Sequence, residues 1–143
     1  SPHFKSVNVP QPIKFEWNLY EEEKKVSQNA LQHVWYRQAL KQKPDNKDEE
    51  SYEIAGMCKL DFAVPMLLGE SEEFREIYKY CLEPYGREIQ VKILGTSMCQ
   101  CTRLMKKNQM TEYLNSIQTF FSQNGIYLEA QGEYEDVMMG RYG

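Results

Sequence analysis

Arg87-Glu88-Ile89-Gln90-Val91-Lys92-Ile93-Leu94 is the stretch on which the fold class turns. Apolar Ile89, Val91 and Ile93 alternate with polar Glu88, Gln90 and Lys92. That period of two is expected of a short strand with one face in a core. Ile13, Phe15, Trp17 and Leu19 repeat the pattern, interleaved with Lys14, Glu16 and Asn18. Pro10 and Pro12 put that strand's start, or a sheet edge, just there, because proline cannot donate to a ladder. Phe4 to Val9 reads as an arm or a partner strand, and Ile126-Tyr127-Leu128 as a brief extended return. Together they predict an α+β chain, a small sheet with several amphipathic helices. Residues 1–128 form a single domain with 1–12 as an N-terminal arm, and residues 129–143 are expected to be an acidic, mobile tail.

Around these stretches the helices announce themselves. Residues 108–124 are the clearest: Met110, Tyr113, Leu114, Ile117, Phe120 and Phe121 recur at helical spacing, and Asn124-Gly125 is a stop. Ser27 to Lys43 favours helix, with Ala30, Leu31, Val34, Trp35 and Ala39 inward and Gln28, Gln32, Arg37, Gln38 and Lys41 mostly outward. Asp48 or Ser51 caps another helix running to about Leu60, with Pro65 stopping regular helix nearby. Gly69-Glu70-Ser71 is a turn, and Ser71 caps a helix carrying Phe74, Ile77, Tyr78 and Cys81 inward before Pro84 and Gly86 end it. Gly95 to Cys101 reads as loop.

The chain's 143 residues suit one domain, and at this size about two-thirds of the unfolded surface is buried on folding. A hydrophobic content of 41% excludes global disorder. No apolar run approaches the ~18 residues of a membrane span, and no signal peptide is legible, so a cytoplasmic setting is expected. Cys58, Cys81, Cys99 and Cys101 lack zinc-knuckle spacing, since Cys99 and Cys101 are separated by one residue. Buried thiols in a reducing compartment are the expectation, with no metal and no cofactor. Gly-rich phosphate loops and nucleophile elbows are absent. Glu53, Asp61 and Lys59 loosely resemble the acids and lysine of a metal-dependent nuclease, without the usual order.

A net charge of −4 argues against a nucleic-acid binder until it is divided by segment. Residues 48–83 hold ten acids and three bases, residues 24–43 five bases and no acid, and residues 86–107 five bases and one acid. Two basic segments could make a groove for single-stranded DNA, lysines tracking phosphates and rings stacking bases. The competing explanation is that these cations solubilise two helix faces, and Trp35 fits the apolar face better than a stacking platform. The groove would use Lys24, Lys25, Arg37, Lys41, Lys92 and Arg103.

Two further segments carry a resemblance. Ser27-Gln28-Asn29, followed by His33-Val34-Trp35-Tyr36, resembles the "RS-x-QN…W/Y" helix of the NinB/Orf family of phage recombination proteins. Asn108 to Leu114, with Phe121 and Gly125-Ile126-Tyr127-Leu128, resembles that family's closing "S/T-x-x-M-x-E/D-Y-I/L…F…GI-x-L" pattern. Cys58-Lys59-Leu60 and Leu94-Gly95-Thr96-Ser97 match shorter pieces between them, while Val26 stands where the family has Arg. The resemblance spans about residues 27–128. It implies a homodimeric α+β protein of the bacterial host cytoplasm. Such a protein binds single-stranded DNA and the host single-strand-binding protein, and aids recombinase loading without covalent chemistry. It also implies that Gln28, Asn29, His33 and Tyr36, with Lys106, Lys107, Gln109 and Tyr113, contact DNA. Beside it stand two alternatives: the nuclease, and a protein-interaction or inhibitor module using residues 48–83 or the tail.

Overall fold

The computed structural model describes residues 28–43, 50–96, 98–99 and 101–129. Among these there is no strand; the described fold is all-α, which corrects the α+β expectation. The alternating stretch at residues 13–20, the arm at 1–12 and residues 130–143 of the tail lie outside the described residues. Helix α1 covers residues 28–42. It is followed by α2 (Ser51–Cys58), a π-helical segment (Lys59–Ala63), α3 (Val64–Glu70), α4 (Glu72–Cys81), α5 (Arg87–Gly95), a 3₁₀ turn (Cys101–Leu104) and α6 (Lys107–Gln123). No described helix is long and apolar enough to cross a membrane.

The decisive stretch is helix α5. Its alternating isoleucines do not share a buried face: Ile89 is exposed, Ile93 is half-buried, and the fully buried residue is Leu94. A helical set at 90, 91, 94 and 95 wins instead. Gln90 donates from Nε2 to Leu82 O, and Val91 and Gly95 meet α2. A Cβ added at Gly56 would overlap Val91 O, and one at Gly95 would overlap Tyr52 O. Helices α2 and α5 therefore run antiparallel with their backbones touching. A short apolar alternation cannot report that kind of packing, because the glycines that permit it have no hydropathy.

Helix α2 ends at Cys58, close to Leu60 as expected, but Pro65 is no stop, because it lies in the first turn of α3. The chain stays helical from Ser51 to Glu70 by widening into the π turn. There Val64 N–H reaches back five residues to Lys59 O. Proline lacks an N–H and crowds the carbonyl four residues before it; a π turn placed just ahead absorbs that conflict. The N-cap of α2 is Glu50, whose N–H donates to Glu53 Oε1 at 3.0 Å.

Other boundaries fall where the sequence puts them. Ser71 Oγ accepts from Phe74 N–H at 3.0 Å, and Phe74 is fully buried, whereas Cys81 is exposed. Helix α6 closes in a Schellman motif, with Ile126 N–H on Phe121 O and Gly125 N–H on Ser122 O. Gly125 takes a left-handed φ of 77° there. The core gathers Leu31, Trp35 and Ala39 of α1, Ile54 and Leu67, Leu94, and Met110, Tyr113, Leu114, Ile117 and Phe121 of α6. Residues 126–128 are neither helix nor strand; they lie across α1 and α6 as a strap.

Candidate nucleic-acid interface

A helix turns about 100° per residue and rises about 1.5 Å, so residues four apart drift slowly around its surface. Asn29, His33, Arg37 and Lys41 are four apart, and all four are exposed. They form one polar, cationic stripe along α1, about 18 Å long. The opposite arc is buried: Gln28, Leu31, Gln32, Trp35, Tyr36 and Ala39. The register is fixed by apolar Leu31, Trp35 and Ala39, which leaves the stripe no choice but to face solvent.

Several residues expected at the interface are inside instead. Tyr36 and Tyr113 are 2% and 0% exposed, and their hydroxyls meet at 2.7 Å. Tyr36 OH also donates to Gln32 Oε1, and Gln32 Nε2 donates to Asn29 Oδ1 at 2.6 Å. Gln28 donates from Nε2 to Thr111 Oγ1 at 2.6 Å. Gln109 accepts from Lys106 N–H at the start of α6 and donates to Glu70. Buried polar groups are generally satisfied in this way, although Gln28 Oε1 is buried with no hydrogen-bond partner among the described residues. Burial pushes both tyrosine pKa values well above the ordinary phenol range. A ring with no exposed face cannot stack a base, so Tyr36 and Tyr113 hold α1 against α6.

The start of the first basic segment is hydrogen-bonded to the helix that begins at the end of the second. The Gln28–Thr111 bond sets the first turn of α6, with exposed Lys106 and half-buried Lys107, beside the Asn29 end of the stripe. Lys59, of the acidic segment, acts electrostatically on His33, Cys99 and Cys101, and Arg103 acts on Cys99. Lys59 is only 7% exposed, and its Nζ donates to Leu94 O at 3.2 Å. That oxygen belongs to the last turn of α5, the negative end of the helix dipole. Burial lowers the Lys59 pKa, and the three neighbouring thiols oppose the shift. His33 titrates below its ordinary value, first through partial burial, then through Lys59 and Arg37. Burial is the larger cause of that shift, and the two cations act in the same direction.

Other basic residues are placed elsewhere. Arg87 forms a bidentate pair with Asp61 at 2.9 and 3.0 Å. Lys92 is exposed on α5, whose packing partner is α2. Lys24 and Lys25 lie outside the described residues. The three residues of the nuclease alternative do not converge: Glu53 caps α2, Asp61 is held by Arg87, and Lys59 is buried on Leu94. Cys58 and Cys101 are buried thiols with pKa values pushed up to about 12 by burial, well away from thiolate chemistry. No group of His, Cys, Asp or Glu among the described residues is arranged to hold a metal ion.

One edge of the stripe is bordered by the strap, which the sequence did not reveal as a contact of α1. Gln42 donates from Nε2 to Tyr127 O and accepts from Tyr127 N–H, both at 2.9 Å. Gln38 makes the same reciprocal pair with Glu129, at 3.2 and 2.8 Å. Trp35 Nε1 donates to Glu129 O, and Gln118 of α6 to Leu128 O. The match is geometric: four helical residues rise about 6.0 Å, and two extended residues span about 6.7 Å. A Gln-x-x-x-Gln spacing facing an apolar-x-apolar segment was the legible signal, though glutamine alone does not say whom it pairs with. Comparison of the chain with protein-family models, with curated protein sequences and with solved structures yields no match.

Proposed function

We propose that the protein binds single-stranded nucleic acid along the α1 stripe and acts as a non-catalytic accessory in phage DNA recombination. The observation that carries the binding is the exposed line of Asn29, His33, Arg37 and Lys41 along one face of α1. Its contacts are with the phosphate backbone, so base sequence matters little. His33 offers the exposed ring of the stripe, while Tyr36 and Tyr113 stay inside. The recombination setting, the host single-strand-binding protein as partner and the homodimer come from the resemblance of residues 27–36 and 108–128 to the NinB/Orf proteins.

Fluorescence anisotropy with a labelled single-stranded oligonucleotide tests it. Engaging three to five phosphates gives a slope of log affinity against log salt of about −2 to −4. Arg37→Glu with Lys41→Glu removes most of the affinity without lowering the melting temperature, because both side chains are exposed. Absence of binding at low ionic strength, or a double variant that binds like the parent, overturns the assignment.

A further inference from the structure

The strap ends the described chain at Glu129, and it does so against the stripe. Glu129 is fixed there by Gln38 on both its N–H and its carbonyl, and by the Trp35 indole. Tyr127 sits at the level of Gln42 and Glu129 at the level of Gln38, so the chain runs antiparallel to α1 and heads toward its Asn29 end. The next acids in the sequence are Glu133, Glu135 and Asp136, and the first base after them is Arg141. They stand four to seven residues past the anchor, a reach of about 13–23 Å of extended chain. From the level of Gln38 to Asn29 is about 14 Å along the helix axis. The stripe over that interval carries Arg37 and His33.

We propose that the acidic stretch Glu133–Asp136 of this chain competes with nucleic acid for the α1 stripe, as a tethered mimic of a phosphate backbone. The proposal rests on the reading of that stripe as a polyanion-binding surface. Tethering is what makes it effective. Three carboxylates bind a cationic strip weakly in trans, but a short link to Glu129 gives them a local concentration of order millimolar. The competition is electrostatic and fades with salt, as the nucleic-acid contact does. The stripe would thus accept a polyanion longer and more highly charged than the tail, such as a nucleic-acid strand, and refuse short or weakly charged ones.

The test uses the full chain with Glu133→Gln, Glu135→Gln and Asp136→Asn. At low ionic strength this variant should bind a labelled single-stranded oligonucleotide about three- to tenfold more tightly than the parent, with the gain vanishing at high salt. The gain should disappear when Arg37→Glu and Lys41→Glu are added. An unchanged or weaker affinity overturns the proposal. A second arm needs no nucleic acid: a fluorescein-labelled peptide of residues 130–143 is titrated into the same neutralised full chain. Saturable binding that is lost on adding Arg37→Glu and Lys41→Glu upholds the competition, and no binding overturns it. If neither parent nor variant binds any oligonucleotide, the nucleic-acid assignment fails and the peptide arm alone decides this one.

Discussion

Lys59 carries a cation into the wall of the molecule, with its Nζ on the last-turn carbonyl of α5. Its effect is felt at a distance, because field lines through a low-dielectric wall are weakly screened. His33 is the reporter. Its folded pKa lies below 6.5, so the unfolded chain binds more protons than the native one just below that pH. Stability is therefore lost as pH falls through the window that opens near 6.5. Lys59 follows the same sign at the alkaline end: its folded pKa is below 10.5, and stability is gained as pH rises toward that value. Lys59→Met should raise the His33 titration midpoint, read from its imidazole proton resonances against pH. The same variant should change stability by no more than about 1 kcal/mol, because relief of lysine desolvation offsets the lost bond to Leu94. A His33 midpoint that stays put would show that burial and Arg37, not Lys59, lower it.

At the scale of elements, the contact between α2 and α5 is governed by two residues that have no side chain. Gly56→Ala and Gly95→Ala each drive a methyl into a backbone carbonyl of the other helix, at Val91 and Tyr52. Backbone cannot yield as a flexible side chain does, so each should destabilise by about 1–3 kcal/mol or more, measured by urea midpoint. Gly69 in α3 is the control, since a Cβ there meets nothing within 4 Å. Gly69→Ala should be neutral or stabilise by up to about 1 kcal/mol. These elements also show what a sequence can carry. Ser71, Asn124-Gly125 and the α6 apolar stripe act through bonds and contacts a few residues away, and each was legible. Arg87–Leu94 was not. Its alternation favours a strand locally, and the competing helix is selected by two glycines and a neighbour 35 residues away in the chain. Pro65 failed as a stop for a related reason: the π turn before it is a backbone solution that side-chain patterning does not record.

For the whole molecule, the strap ties the two ends of the described chain together. Gln38 and Gln42 reach 91 and 85 residues along the sequence to hold Glu129 and Tyr127. Each reciprocal pair should contribute about 0.5–1.5 kcal/mol. Gln42→Ala should remove hydrogen-exchange protection from the Tyr127 amide, and Gln38→Ala from the Glu129 amide, with the core amides of α6 unchanged. If both amides exchange as in the parent, the strap is held by Ile126 and Leu128 in their buried sites rather than by the glutamines.

By itself the sequence determined the inward Leu31, Trp35 and Ala39 of α1 with Arg37 and Lys41 outward, the N-cap of α4, the C-terminal stop of α6, and the segregation of charge behind a net value of −4. These follow from local periodicity and from counting, which need no knowledge of neighbours. Gln28 and Gln32, by contrast, are expected outward and are buried. Only the tertiary structure decided that Arg87–Leu94 is a helix, that Tyr36 and Tyr113 face each other instead of solvent, and that the strap borders the stripe. The physical reason is shared. Backbone contact through glycine, a buried hydroxyl pair and an amide-to-backbone clamp each join residues distant in sequence. Their energies exist only once the partner is in place.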